Sequence, residues 1–269
     1  MIDRGKHNIL GVLVDAVDYE AAVGKIITAG ANRQPLSVTA LAVHGVMTGA
    51  MDDTHRHRLN KMDLIVPDGQ PVRWALNGIH KAKLPDRVYG PTLMLKTCEA
   101  AEKEGLSIFL LGSDSEMLAK LKESLLKKFP KLKIAGMRPS LFRQMKSEEE
   151  KQQLIDDVKS SGAHITFVGL GCPRQEIFAY EFRDALGMPL LAVGAAFAFH
   201  AGCLEQAPAW MQDRGLEWLF RLSREPKRLF KRYVVLNPLY ASMVALQALK
   251  LRCPDTSSTT PPTTECLYG

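Results

Sequence analysis

The sequence predicts an α/β protein built on a Rossmann-like, mostly parallel sheet with helices on both faces. Short, continuously apolar runs alternate along the chain with longer segments of helical periodicity. That alternation is typical of parallel strands that are buried on both faces and joined by helical crossovers. Two of the runs end in turns rich in glycine and polar residues, at the end of the strand where α/β enzymes place their chemistry. We expect this catalytic core to cover about residues 1–205.

Seven apolar runs have the character of strands. In chain order they are 9–14, 36–43, 64–66, 107–111, 132–135, 165–170 and 190–193. Most of them are separated by segments long enough to form a helix, so neighbouring strands are expected to run parallel.

The composition fits a globular protein of ordinary size. Of the 269 residues, 46% are hydrophobic and 24% are charged, which suffices for a full core and excludes disordered and collagen-like classes. The five cysteines are widely spaced and form no C-x-x-C pair, so the pattern favours neither a disulfide framework nor a zinc site. A reducing cytoplasm fits such cysteine usage best.

The chain offers no targeting or spanning signal. Its N-terminus lacks an apolar leader, and no stretch reaches the roughly 18 uninterrupted apolar residues of a spanning helix. We therefore expect a protein that is neither exported nor inserted through a membrane.

A different composition begins after residue 205, and we expect a helical appendage over 206–253. Segment 214–232 holds seven basic and two acidic residues, which accounts for most of the formal net charge of +6. Pro226 is expected to break the helical pattern there. The seven basic residues are Arg214, Arg221, Arg224, Lys227, Arg228, Lys231 and Arg232.

The interleaved basic and aromatic residues of this appendage allow two interpretations. A basic amphipathic element can lie on an anionic membrane surface, and a solvated basic face on a helix packed against the core explains the charge equally well. No nucleic-acid-binding motif accompanies the charge. The remaining segment, 254–269, is rich in Thr, Ser and Pro and is expected to be disordered.

Asp68 is the first candidate for catalysis. It ends the apolar run 64–66 in a Pro67-Asp68-Gly69 turn, which places a carboxylate at the carboxyl end of a strand. Such a group can act as general base if it reaches a substrate hydroxyl. The alternative is a turn aspartate that hydrogen-bonds its own backbone.

The second candidate junction comes after the run 165–170. Gly169 and Gly171 could let backbone N–H groups approach a phosphate. Arg174 stands where a dinucleotide fingerprint has its third glycine, which counts against a hydride-transferring dehydrogenase. Gln175 and Glu176 then bring polar side chains to the opening of a helix.

No metal requirement is visible in the sequence. Asp114 and Glu116 resemble an acidic metal motif, yet Ser113 and Glu116 also have capping-box spacing, and we favour the cap. His55 and His57 are two residues apart and would point away from each other on a helix. A further pair, His44 and His200, lies beside strand ends, where a packed histidine is commoner than a catalytic one, although either could contact a substrate.

Several segments between about residues 38 and 237 form a pattern when taken in order. They are Thr39, Val66-Pro67-Asp68-Gly69, Arg87-Val88-Tyr89-Gly90, Phe109-Leu110-Leu111-Gly112, Gly169-Leu170-Gly171-Cys172-Pro173-Arg174-Gln175-Glu176, Ala207-Pro208-Ala209-Trp210-Met211-Gln212 and Gly215-Leu216-Glu217-Trp218-Leu219-Phe220-Arg221-Leu222. Together they resemble the WecG/TagA/CpsF glycosyltransferases of bacteria.

The resemblance implies an inverting, metal-independent hexosyltransferase without a cofactor. Such an enzyme moves a sugar from a UDP-sugar donor to a polyprenyl-diphosphate-linked sugar in cell-surface polysaccharide synthesis. It would be cytoplasmic and peripherally bound to the inner face of the membrane, and a homo-oligomer is left open.

The resemblance also implies roles for individual residues. Asp68 would be the general base, and Arg87 would stabilise diphosphate charge. Arg221 and Arg224 would close over the nucleotide or bind the lipid diphosphate. Thr39 and Gln175 match positions assigned to substrate contacts. From the junction after the run 165–170 we also expect Gly169, Gly171 and Glu176 to bind substrate.

The chain departs from the family pattern in three places near this site. Leu41 replaces an asparagine, Pro91 stands in a usual Gly-Ser-Asp, and Ala198 replaces an aspartate. The sugar donor therefore stays open among N-acetylmannosamine, its uronic acid, glucose and other hexoses. Two other classes also stay open: a non-catalytic nucleotide-binding protein, and a membrane- or nucleic-acid-binding module centred on 214–232.

Overall fold

The computed structural model describes residues 1–252, 254–256 and 259–269. The side chains of Arg228, Lys231 and Arg232, which belong to the predicted basic face, lie outside this description, as do Cys253, Ser257 and Ser258. The described residues confirm the predicted α/β class, because they form a six-stranded parallel sheet flanked by helices. A separate antiparallel hairpin forms a second, two-stranded sheet.

The strands are β1 (Asp3–Ile9), β2 (Val12–Val17), β3 (Leu36–Leu41), β4 (Leu64–Pro67), β5 (Ser107–Gly112), β6 (Lys133–Arg138), β7 (Ile165–Gly169) and β8 (Pro189–Ala192). The helices are α1 (Tyr19–Ala31), α2 (Val43–Met51), α3 (Asp53–Asn60), α4 (Gln70–His80), α5 (Gly90–Lys103), α6 (Ser115–Lys128), α7 (Glu148–Ser160), α8 (Arg174–Leu186), α9 (Ala196–His200), α10 (Ala209–Asp213), α11 (Glu217–Arg224) and α12 (Pro226–Ala248).

The parallel sheet has the order β4-β3-β8-β7-β5-β6. Apart from the half-exposed edge strand β6, its strands are largely buried on both faces, which is why the sequence shows continuous apolar runs there rather than alternating ones. On β5, Ile108 and Leu110 join one apolar cluster, while Phe109 and Leu111 join the cluster on the opposite face. Successive side chains of a strand thus pack into two different cores, one on each face of the sheet and each covered by helices.

One predicted strand, 9–14, is wrong. Its apolar run contains a tight turn, in which Leu10 has φ +55° and Gly11 has φ +92°, and the chain reverses from β1 into β2. The Asn8 Oδ1 atom accepts the Gly11 N–H at 2.7 Å and stabilises this reversal. A turn made of apolar and glycine residues has the same hydrophobicity as a strand, so the composition alone did not separate the two.

The described residues after the core form three helices, α10 to α12. As predicted, the helical pattern breaks at Pro226, because Glu225 is non-helical and Pro226 opens α12. Within the described ranges, no helix combines the length and apolar character needed to cross a bilayer.

The described part of the C-terminal segment contacts the core. The Gly269 carbonyl accepts the Leu141 N–H at 2.9 Å, and the Leu267 carbonyl accepts the Met145 N–H at 2.7 Å. These contacts differ from the free extension expected for 254–269. Leu267 and Tyr268, near this end, pack against the core. The composition of the segment, which is dominated by Thr and Pro, did not indicate this packing. The division at 205 and 253 stays a prediction.

Candidate active site

A cavity of about 370 Å³ lies at the carboxyl edge of the parallel sheet. We call it the carboxylate pocket, because the Asp68 side chain lines it. Its walls come from the segments after β3, β4, β7 and β8 and from α11 of the appendage. Residues that line it include Ala40, Asp68, Tyr89, Gly90, Gly169, Gly171, Cys172, Gln175, Glu176, Glu217 and Arg221.

Asp68 comes directly after the last residue of β4, so its carboxylate enters the pocket from the strand end, as the sequence predicted. The Gly90 N–H donates a hydrogen bond to Asp68 Oδ1 at 2.6 Å. Burial raises the pKa of Asp68 to about 6, and the positive charge of Arg87 limits this rise. A carboxylate with such a pKa is a stronger base than an exposed aspartate, yet is still largely ionised near neutral pH.

Gly90 allows this close approach between the start of α5 and β4. A Cβ atom at this position would lie 3.1 Å from the Ala40 Cβ and 3.6 Å from Asp68 Oδ1. A larger residue would push α5 away and lengthen the hydrogen bond that orients the carboxylate. The close packing of α5 against β4 therefore explains why glycine ends the Arg87-Val88-Tyr89-Gly90 segment.

Arg87 is buried and reaches from the core to the appendage. Its guanidinium donates to Glu217 Oε2 at 2.8 Å and to Gln212 Oε1 at 3.3 Å, and stacks 4.2 Å above the Tyr89 ring. The Tyr89 hydroxyl donates to the other Glu217 oxygen at 2.9 Å. Arg87 thus lies beside Asp68 with its charge partly compensated by an appendage carboxylate.

The other two candidate arginines lie on α11 in different surroundings. Arg221 lines the carboxylate pocket and lies 5.8 Å from the Phe199 ring centroid. Arg224, one turn further on, is exposed, pairs with Glu205 and lines only a neighbouring cavity. Of this pair, the fold brings Arg221 to Asp68 and leaves Arg224 at the rim.

Thr39, Gln175 and Glu176 form a buried polar network behind the pocket wall. The Thr39 hydroxyl and the Gln175 amide each donate to Glu176 Oε1 at 2.9 Å. The Gln175 Oε1 atom accepts the Gly171 N–H at 3.2 Å. Because the Thr39 side chain is fully buried, it supports Glu176, whereas Gln175 and Glu176 reach the lining of the pocket. Burial raises the pKa of Glu176.

The glycine pair after β7 fits its predicted use in different ways. Gly171 has φ +77° and space around its Cα, so it can expose backbone to the pocket. Gly169 lies so close to Phe197 that a Cβ would be 2.6 Å from the ring. Both residues line the carboxylate pocket.

Three lesser predictions have clear outcomes. The cap of α6 is Asp114, whose side chain accepts the Met117 N–H, so the capping-box assignment to Ser113 is wrong; Ser113 lies one residue earlier in the left-handed region at φ +61°. His200 is packed, with Nε2 2.8 Å from the Pro91 carbonyl oxygen. His44 lines a passage beside Asp68.

Tyr89 and Glu217 belong to the site, although sequence reasoning gave them no role. Each stands inside a segment that carried the family resemblance, next to Arg87 or Arg221, and that position was the only signal. Burial raises the pKa of the Tyr89 hydroxyl, so it stays a neutral donor to Glu217.

An apolar groove of about 840 Å³ runs between α4 and α12. Its walls include Trp74, Ile79, Trp218, Tyr240 and Val244. A narrow passage of about 90 Å³ lies between this groove and the Asp68 carboxylate. The passage is lined by Asp68, Arg87 and Arg221 and shares Val43, Pro71, Gly215, Trp218, Tyr233 and Asn237 with the groove.

The groove depends on a close fit between the appendage and α4. Gly215 has φ +69°, and a Cβ there would lie 2.8 Å from the Trp74 ring. The turn between α10 and α11 can therefore lie on the indole only because this residue is glycine.

The fold and the pocket define an α/β enzyme with a strand-end carboxylate and two arginines, Arg87 and Arg221, near it. Residues 7–254 match the glycosyl transferase WecG/TagA/CpsF family, and the chain belongs to that family. Its members are glycosyltransferases of cell-surface polysaccharide synthesis. The resemblance given by the sequence motifs is thereby confirmed, and the match extends beyond the 38–237 expected from those motifs.

Proposed function

We propose that this protein is an inverting hexosyltransferase that moves a sugar from a UDP-sugar to a polyprenyl-diphosphate-linked sugar. The product would enter a cell-surface polysaccharide of the exopolysaccharide, enterobacterial-antigen or teichoic-acid type. Family membership supports the class of reaction. The observation that carries the proposal is the Asp68 carboxylate in the pocket, with its raised pKa and with Arg87 and Arg221 nearby.

In this mechanism Asp68 is the general base. Gly90 engages Oδ1, so Oδ2 is the oxygen that takes the proton from the acceptor hydroxyl. The acceptor oxygen forms its bond to the anomeric carbon from the face opposite UDP. The bond from that carbon to the UDP oxygen breaks, and its electron pair leaves with UDP. One displacement of this kind inverts the anomeric centre.

The charge that develops on UDP needs donors that are already oriented. Arg221, and Arg87 once it shares its charge between Glu217 and the diphosphate, can supply guanidinium groups. The backbone beside Gly171 offers N–H donors at the end of β7. These groups provide a route that needs no metal at the diphosphate.

The apolar groove supports an acceptor that carries a long hydrocarbon chain. A chain lying between α4 and α12 would bring its diphosphate through the passage to Arg87 and Arg221, and the attached sugar to Asp68. Burying aliphatic surface in such a groove contributes about 0.8 kcal/mol per CH₂ group.

The exposed basic residues of the appendage support binding to an anionic membrane surface on the cytoplasmic side. Arg214, Arg224 and Lys227 are exposed, and each basic residue near such a surface contributes about 1 kcal/mol. Holding the enzyme where a lipid-linked acceptor is confined would favour transfer.

Transfer from a panel of UDP-sugars to a polyprenyl-diphosphate-sugar analogue tests the proposal. We expect one donor to be used without added Mg²⁺ or Mn²⁺. The Asp68→Asn variant should lose transfer. The Asp213→Asn variant should keep it, because Asp213 is exposed and outside the pocket lining. Intact UDP binding without turnover on several acceptors would instead favour the non-catalytic nucleotide-binding protein. Liposome binding without UDP binding and without sugar transfer would favour a membrane-binding module.

A further inference from the structure

Three side chains that are far apart in the sequence meet beneath the carboxylate pocket. They are His55 on α3, Cys172 in the turn after β7, and Glu176 on α8. One nitrogen, sulfur or oxygen atom from each lies within 4.8 Å of the other two. His55 is 3% exposed and Glu176 is 1% exposed, so both are buried, while Cys172 is half-buried.

Two members of this cluster, His55 and Glu176, carry polar atoms that lack hydrogen-bond partners among the described residues. Both ring nitrogens of His55 and the Oε2 atom of Glu176 are buried without a hydrogen bond. A buried polar group left in this state costs about 1–3 kcal/mol, and native proteins rarely keep several such groups at one place. Their convergence indicates that the cluster has a ligand.

The donor set identifies the class of ligand. Imidazole nitrogen, thiolate sulfur and carboxylate oxygen are the donors that Zn²⁺ takes in proteins, at distances of about 2.0–2.3 Å. Mg²⁺ and Ca²⁺ prefer oxygen donors alone, and thiolate selects softer metals. The thiol of Cys172 would lose its proton to become a ligand.

We propose that His55, Cys172 and Glu176 bind Zn²⁺. Three protein ligands leave a fourth tetrahedral position, which would face the pocket because Cys172 and Glu176 line it. The other Glu176 oxygen keeps its hydrogen bonds from Thr39 and Gln175, which orient the carboxylate from behind as metal ligands usually require. The ion ties α3 to the turn after Gly171 and takes no part in the displacement at the anomeric carbon.

Contraction of the cluster is sterically feasible. Ligand atoms 4.8 Å apart must approach by about an ångström to share one ion at zinc distances. Gly171 has φ +77° and open space around it, so the turn that carries Cys172 can adjust.

Metal content measured by mass spectrometry tests this proposal without using transfer. The full chain, purified without a histidine tag, would be stripped with chelator, incubated with Zn²⁺ and desalted. We expect about one zinc per chain in the wild type, and loss of that zinc in His55→Phe and Cys172→Ser. The matched controls are His57→Phe, two residues along the same helix, and Cys203→Ser, an exposed cysteine. Both controls should retain zinc.

Co²⁺ loading of the wild type gives a second readout that does not depend on a variant folding. A cysteine ligand should produce a thiolate-to-cobalt absorption band, and Zn²⁺ should displace it. Zn²⁺ should also raise the melting temperature of the wild type and not that of Cys172→Ser. A wild type that binds no zinc, or zinc retained in both His55→Phe and Cys172→Ser, would overturn the proposal and leave a buried water as the partner of these atoms.

Discussion

Glu217 accepts a hydrogen bond from Arg87 at 2.8 Å, and so fastens the appendage to the catalytic core beside Asp68. Both side chains are nearly buried, with exposed fractions of 9% for Arg87 and 13% for Glu217. Glu217 lines the carboxylate pocket. If the proposed substrates bind there, their diphosphate competes with Glu217 for the Arg87 guanidinium.

Breaking that pair should destabilise the protein strongly. Removing one partner of a buried ion pair leaves an uncompensated charge and typically costs about 3–5 kcal/mol. We expect Glu217→Ala to lower the free energy of unfolding by that amount in chemical denaturation.

The chain provides a matched control for this effect. Glu205 and Arg224 also join the core side to α11, but both are exposed, and such pairs contribute about 0–1 kcal/mol. Equal losses in Glu205→Ala and Glu217→Ala would contradict the role we give to the Arg87–Glu217 pair.

Replacing Asp68 by asparagine should remove the general base and keep the shape of the side chain. We expect transfer to fall by about 100-fold or more, the usual scale for a general base, while UDP-sugar binding and the melting temperature change little. Turnover near that of the wild type would exclude Asp68 as the base.

Transfer should depend on pH through the same group. The base acts when deprotonated, and burial raises the pKa of Asp68 to about 6, so kcat/KM should increase with pH and level off above this value. Arg87 lowers that pKa by its charge, so Arg87→Gln should move the midpoint to higher pH. A pH profile that is flat between about 5 and 8 would contradict this assignment.

Filling the apolar groove should affect long-chain acceptors selectively. Ala241 lines the groove on α12, and Ala241→Trp should raise the KM for a long polyprenyl acceptor by about 10-fold or more while a short-chain analogue is used as before. Ser242→Trp, on the same helix outside the groove lining, is the control. Equal effects on both acceptors would mean that the chain does not bind there.

Membrane binding should depend on the exposed basic residues of the appendage. At about 1 kcal/mol per charge, replacing Arg214, Arg224 and Lys227 by glutamine should weaken binding to anionic liposomes by about 100-fold in a sedimentation assay.

The control for membrane binding removes the same charge elsewhere. Lys122, Lys127 and Lys131 are exposed on and after α6, and their replacement by glutamine should leave liposome binding nearly unchanged. If both triple variants lose binding equally, net charge rather than the appendage directs the protein to the surface.

The sequence by itself determined the fold class and the approximate positions of the parallel strands. Hydrophobic periodicity is a local property, so β3 to β8 and the position of Asp68 after β4 could be predicted from short windows. The same locality explains the error at 9–14, because a turn such as Leu10-Gly11 carries the apolar residues of a strand and differs only in its backbone angles.

Only the tertiary structure decided which distant residues meet. Glu217 lies 130 residues from Arg87, and His55 and Cys172 are brought together from α3 and the turn after β7. No spacing motif marks either set, so the sequence indicated no metal ligands and gave Glu217 no role. The order of strands and the packing of α3, α8 and α11 fix these contacts, because they depend on how whole elements are placed in space rather than on the order of neighbouring residues along the chain.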